Sequence, residues 1–175
     1  MKQKKIIGIT GGVGAGKSSV LAVLKNDFGA KIILADLVAH DLMEPGSLGL
    51  RKVTEALGTS FLTPDGAVDR KALADLIFRD KEALKTMNSI IHPLVWKTMK
   101  EEAEAASENL VIIEAAVFDT APKNFFDELW YVYTTKENRI VRLMENRGYS
   151  RVIDNNGDES DIKRQLKEIL DHEIC

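Results

Sequence analysis

The sequence predicts an α/β fold with a five-stranded parallel sheet flanked by helices, and three observations predict it. Short apolar runs rich in β-branched residues recur at 5–10, 30–35, 110–114, 130–134 and 152–154, with helical periodicity between them. Two of them, Ile32-Ile33-Leu34 and Val111-Ile112-Ile113, are continuously apolar, as strands covered on both faces are, and these are the expected central strands. The first run leads into Gly11-Gly12-Val13-Gly14-Ala15-Gly16-Lys17-Ser18, a G-x-x-x-x-G-K-S spacing that needs a strand before it and a helix after it.

That spacing is a phosphate-binding loop. A tight glycine-rich turn lets successive backbone N–H groups face one anion, and the following helix directs its positive N-terminus to the same point. Side chains at Gly11, Gly14 or Gly16 would obstruct the approach. Lys17 reaches the β- and γ-phosphates, the Ser18 hydroxyl is a ligand for the Mg²⁺ that bridges them, and Ser19 assists at the α-phosphate. The expected ligand is therefore ATP with Mg²⁺, held by residues 11 to 19.

The chain has 175 residues, 45% of them hydrophobic, which suits one domain with a substantial core. Against 27 acidic residues stand 24 basic ones, so the net charge of −3 excludes the global positive field of a nucleic-acid binder. The single cysteine, Cys175, has no intramolecular partner and fits a reducing, cytoplasmic setting. The basic start Met1-Lys2-Gln3-Lys4-Lys5 is followed by too short an apolar run for a signal peptide, and no stretch has membrane-spanning length. The expected partner is a small molecule, with no membrane and no nucleic acid, and the chain is expected to be a monomer or a weak homo-oligomer.

Residues 37–108 contain no clear strand and read as a helical insert into a core of 1–36 and 109–175. Asp69 is placed to cap a helix carrying Leu73, Leu76 and Ile77; Pro93 is placed at the first helical position before the stripe Val95, Met99, Ala103 and Ala106. Pro45-Gly46-Ser47 and Thr63-Pro64-Asp65-Gly66 are turn signals dividing the insert.

Chemistry in an open parallel sheet collects at the carboxyl ends of the strands. The second strand ends at Asp36 and the third at Glu114. Asp36 is placed either to cap the helix that follows or to accept a hydroxyl proton beside a phosphoryl group; Glu114 is placed either to hold a Mg²⁺ water or to serve in a structural hydrogen bond. Phosphoryl transfer also needs cations on the transferring group, and Arg139, Arg142 and Arg147 lie on or after a helix expected over 136–146. Arg147 is the one selected, because it stands where a mobile cover would begin.

Beyond the loop, the chain resembles the dephospho-CoA kinases over nearly its whole length. Ile9 to Ser18 is similar to that family's opening motif, Ala35-Asp36-Leu37-Val38-Ala39-His40 to its Asp-Ala-Asp segment, Val68-Asp69-Arg70-Lys71-Ala72-Leu73 to its Asp-Arg-x-x-Leu segment, and Ile91-His92-Pro93-Leu94-Val95 to its His-Pro motif. The resemblance implies a P-loop kinase fold and transfer of the ATP γ-phosphoryl to the 3′-hydroxyl of dephospho-CoA. It implies Asp36 as the catalytic aspartate, Asp36, His40, Arg70 and His92 on the acceptor side, and Asn155 and Asn156 in a turn bordering the adenine. The insert becomes the acceptor-binding part.

The chain departs from the family pattern in three places. Leu34 stands where the first aspartate of Asp-Ala-Asp is usual, and Glu114-Ala115-Ala116-Val117-Phe118 replaces a Pro-Leu-Leu-Phe-Glu form. Ser150 runs straight into Arg151, where a lid of roughly 20 to 30 residues is expected, so a missing lid or a spatial break falls at this junction. Two other functions share the loop: a P-loop kinase for a nucleoside, a nucleoside monophosphate or a shikimate-like alcohol, and a noncatalytic nucleotide-binding module. Lys17, Ser18 and Asp36 argue against the module, and no Asn-Lys-x-Asp guanine motif supports a GTPase switch.

Overall fold

Four apolar segments pair as strands in the computed structural model of the chain, which describes residues 4–116, 118–147, 160, 161 and 164. They are β1 (Lys5–Gly11), β2 (Lys31–Leu34), β3 (Leu110–Glu114) and β4 (Glu128–Val132), all parallel, in the order β2-β3-β1-β4. The sheet thus has four strands among the described residues and not the expected five; the run at 152–154 lies outside them. The chain divides into two compact units, Met1–Gly11 with Lys17–Val132, and Gly12–Gly16 with the described part of Tyr133–Cys175.

In the first unit, α1 (Lys17–Asn26) follows the phosphate loop, and its return to β2 passes through Gly29 at φ 63°, a conformation that favours glycine. Between β2 and β3 come α2 (Ala35–Asp41), α3 (Leu48–Leu57), α4 (Arg70–Arg79) and α5 (Lys81–Ala105). The starts of α3, α4 and α5 follow side-chain chemistry. Ser47 accepts from the Leu50 amide at 3.1 Å, Asp69 from Lys71 and Ala72 at 2.9 and 3.0 Å, and Asp80 from Glu82 and Ala83 at 2.9 and 3.1 Å.

Apolar side chains fill both faces of the sheet. Ile33, Val111 and Ile113 pack with Val53, Phe61 and Met99 from the inserted helices, while Ile7, Ile9 and Ile112 pack with Leu24 of α1. This corrects the expectation that β2 is central: β3 and β1 are the inner strands, and β2 is an edge among the described residues. Its continuous hydrophobicity has another cause, since α1, α2 and α5 all pack against it.

Pro93 lies inside α5 and does not start it. A proline in a helix interior costs about 3 kcal/mol through a lost N–H and a ring clash. Burial of Trp96 and Met99, at about 1.5–3 kcal/mol for each side chain, offsets that cost.

In the second unit, α6 spans Lys136–Arg147, one residue beyond the helix expected from the sequence. Among the described residues, no helix is long and apolar enough to cross a membrane.

Candidate active site

Parallel pairing brings the carboxyl ends of three strands to one edge. Ile9, Glu114 and Leu34 occupy one register row, so Gly11 and Asp36 each stand two residues beyond it. Thr10 Oγ1 donates to the Ala116 carbonyl at 3.1 Å, tying the ends of β1 and β3 together.

Gly11 still pairs with Val132, and a Cβ on Gly11 would lie 2.5 Å from the Val132 carbonyl oxygen. The sheet therefore requires this glycine by itself, independently of the phosphate clearance expected for it. Lys17 opens α1 and folds back, donating from Nζ to the Gly11 carbonyl at 2.7 Å and standing 3.8 Å from Glu114 Oε1. With Ser18 they line a hollow of about 620 Å³. Ser19 faces elsewhere, into a separate apolar hollow with Phe28 and Trp130.

Burial pushes the Glu114 carboxyl above its ordinary range; the Lys17 ammonium pulls it back, and the Asp36 carboxylate pushes it up again. That last influence shows that the two acids sense each other. The Ser18 hydroxyl and Glu114 carboxylate are hard oxygen donors suited to Mg²⁺, which keeps several waters and binds through one or two protein groups with substrate phosphates. Among the described residues no three His, Cys, Asp or Glu side chains converge on a possible metal position, and such a cation needs no cage of them.

Asp36 lies in the first turn of α2, whose cap residue is Leu34 with no side-chain bond, so the capping role is corrected. Its carboxylate is exposed and accepts no side-chain hydrogen bond among the described residues. It shares a hollow of about 200 Å³ with His92 of α5, Trp96 and Thr120. Trp96 Nε1 donates to Thr120 Oγ1 at 3.1 Å, and its ring meets Phe125 edge-on at 5.8 Å, so this wall is fixed.

Two residues expected on the acceptor side are not brought there. His40 turns to Asp41 and Glu44, at 3.6 and 3.4 Å, and the exposed Arg70 begins α4 away from the Asp36 hollow.

In the second unit, Gly12 accepts from the Ala15 amide at 3.0 Å, and Gly14 and Gly16 have φ of 76° and 92°, which only glycine adopts without strain. Val13 is exposed and Ala15 buried. Arg142 Nη1 donates to the Ala15 carbonyl at 3.1 Å and to Gly14 at 3.4 Å. A Cβ on Gly16 would lie 2.8 Å from that nitrogen. Of Arg139 and Arg142, whose side chains are described, Arg142 is the one bonded to the loop. The Arg147 side chain, Asn155, Asn156 and the 150/151 junction lie outside the described residues.

Residues 5–169 match the sequence profile of the dephospho-CoA kinase family. Dephospho-CoA kinase of Staphylococcus haemolyticus is 34% identical over 191 residues, covering 95% of this chain and 94% of its own, and that of Geobacter sulfurreducens is 34% identical over 190 residues, covering 94% and 96%. Matched stretches of that length exceed the 175 residues here, so each relative carries residues with no counterpart in this chain. A crystal structure of a Thermus thermophilus protein superposes with a TM-score of 0.67 at 28% identity, covering 98% of both chains. Dephospho-CoA kinase from Campylobacter jejuni shares the fold, with a TM-score of 0.57 at 21% identity over 97% of each chain. With a profile match over most of its length and relatives aligned almost end to end, the chain belongs to the dephospho-CoA kinase family.

Proposed function

We propose that this chain phosphorylates the ribose 3′-hydroxyl of dephospho-CoA with ATP, giving coenzyme A and ADP. One observation carries the reading within the family: Lys17 and Glu114 occupy the sheet edge at which Asp36 also stands, in reach of each other's charge. Backbone amides of Gly12 to Gly16 suit the phosphates, with Ser19 a weaker candidate because it faces a different hollow. Lys17 neutralises charge on the transferring group, and Mg²⁺ held by Ser18 and the Glu114 side would supply further positive charge there. Asp36 orients the acceptor hydroxyl and takes its proton, and an exposed, unpaired carboxylate is free to do so.

His92 borders the acceptor beside Asp36. His40 and Arg70 keep at most a peripheral place in this reading, and Arg142, bonded to the loop, joins Arg147 as a candidate cation for the transferring group. ADP formation from ATP and Mg²⁺, measured with dephospho-CoA and with adenosine monophosphate as control acceptor, tests the assignment. Stimulation by dephospho-CoA alone is expected; stimulation by the monophosphate alone would replace the acceptor, and silence with both would leave a binding module.

A further inference from the structure

The acceptor of the proposed reaction is long: beyond the ribose it carries a diphosphate and then a flexible, largely uncharged arm. The Asp36 hollow, at about 200 Å³, is too small to enclose all of that. Beside it lies a second hollow of about 590 Å³, and the two share Asn88, His92, Trp96 and Thr120. Residues 88, 92 and 96 are one stripe of α5 at i, i+4 and i+8, so they form a common ridge between two parallel depressions. The larger depression follows the next stripe, Ser89, Pro93, Lys97 and Lys100, and is closed on its other side by Pro122.

We infer that this groove along α5 receives the acceptor's diphosphate and arm, and so sets the preference for a long acceptor over a bare nucleotide. The inference rests on the function proposed above. Three features argue for this occupant. The groove is continuous with the hollow that holds Asp36, so one molecule can enter both. From Ser89 to Lys100 the helix advances about 16 Å, which suits an extended substituent and not a compact one. Its floor is apolar and rigid, because Trp96 is held by Thr120 and by Phe125 and Phe126, while Lys97 and Lys100 at the rim supply the charge a diphosphate needs. Among the described residues, both lysine ammoniums pair only with Glu101 and Glu104, in exposed pairs at 3.8 Å that an incoming phosphate displaces readily.

Steady-state kinetics on the full chain test this with two variants. Ser89→Trp, at an exposed helical position, fills the groove; Lys100→Glu reverses charge at its rim and leaves the packed floor untouched. For Ser89→Trp the KM for dephospho-CoA is expected to rise at least tenfold, and for Lys100→Glu several-fold, with the KM for ATP within twofold of the parent in both. 4′-Phosphopantetheine is expected to inhibit the parent competitively against dephospho-CoA and to lose that effect in Ser89→Trp. Should the parent turn over dephospho-CoA while the KM stays within twofold in Lys100→Glu and in folded Ser89→Trp, the groove is not the arm's site. Should the parent form no ADP in response to dephospho-CoA, the functional reading fails and takes this inference with it.

Discussion

The phosphate side and the acceptor side of the first unit are built differently. At the phosphate side, Lys17 is already bound to the Gly11 carbonyl and lies near Glu114, and the glycine beneath it is fixed by strand pairing. At the acceptor side, the side chains of Asp36 and His92 make no hydrogen bond or ion pair among the described residues, although the wall behind them is rigid. A group that must neutralise phosphate charge benefits from being positioned before the ligand arrives. A group that must exchange a proton with the ligand needs its lone pairs free. The contrast therefore follows from the work each side does.

Removing the free carboxylate is expected to have the largest effect. Asp36→Asn keeps the shape and loses the base, so kcat should fall by about 10²–10⁴-fold, with the KM for ATP within twofold. Rapid-quench or coupled-assay kinetics on both substrates would check it. A variant that lost ATP affinity instead would place Asp36 on the phosphate side and erase the distinction.

Next comes Lys17→Ala. Loss of one preorganised positive group at a transferring phosphoryl should lower kcat by about 10²–10³-fold, and here nucleotide binding should weaken as well. Calorimetric titration with ATP and Mg²⁺ separates the two effects. If ATP affinity is unchanged while kcat falls, the ammonium acts only in the transition state; if neither changes, its contact with Gly11 is structural.

The same contrast explains which parts of the molecule were legible in the sequence. Loop, strands and strand-end acids depend on local rules: Gly14 and Gly16 need positive φ, and Glu114 ends an apolar run. Features set by tertiary packing were not legible. Pro93 reads locally as a helix start, yet α5 runs through it because residues on both sides are anchored, from Ala83 to Ala103. Apolar continuity read β2 as central, although helices on both faces produce the same pattern at an edge. His40 lies one turn beyond Asp36 on a short helix and is diverted to Glu44, a carboxylate whose placement depends on how that helix ends. The groove along α5 was equally hidden, since its second wall comes from residues 120–122, far along the chain.

The smallest expected effect concerns the pairing of Glu114, and its sign can be worked out. Burial and the Asp36 charge hold the folded carboxyl above its ordinary value of 4.5, against the pull of Lys17. Between that value and the raised one, the folded protein retains a proton that the unfolded chain has released. Stability contributed by Glu114 is therefore fully present below about pH 4.5 and declines as pH rises through the folded value. Glu114→Gln has no such proton to lose. The difference in urea midpoint between variant and parent should shift in the variant's favour across that window and then level. Lys25, Asp41 and Glu102 border the same hollow and are common to both proteins, so the comparison isolates the substituted side chain. Parallel midpoint curves from pH 4 to 8 would show that Glu114 is not held protonated by its surroundings. With ATP and Mg²⁺ present the parent should lose this slope, because a cation beside the carboxylate favours its ionised form. In that state the phosphate side has its ligand, and the cost of keeping an acid half-buried next to Asp36 has become part of the binding site.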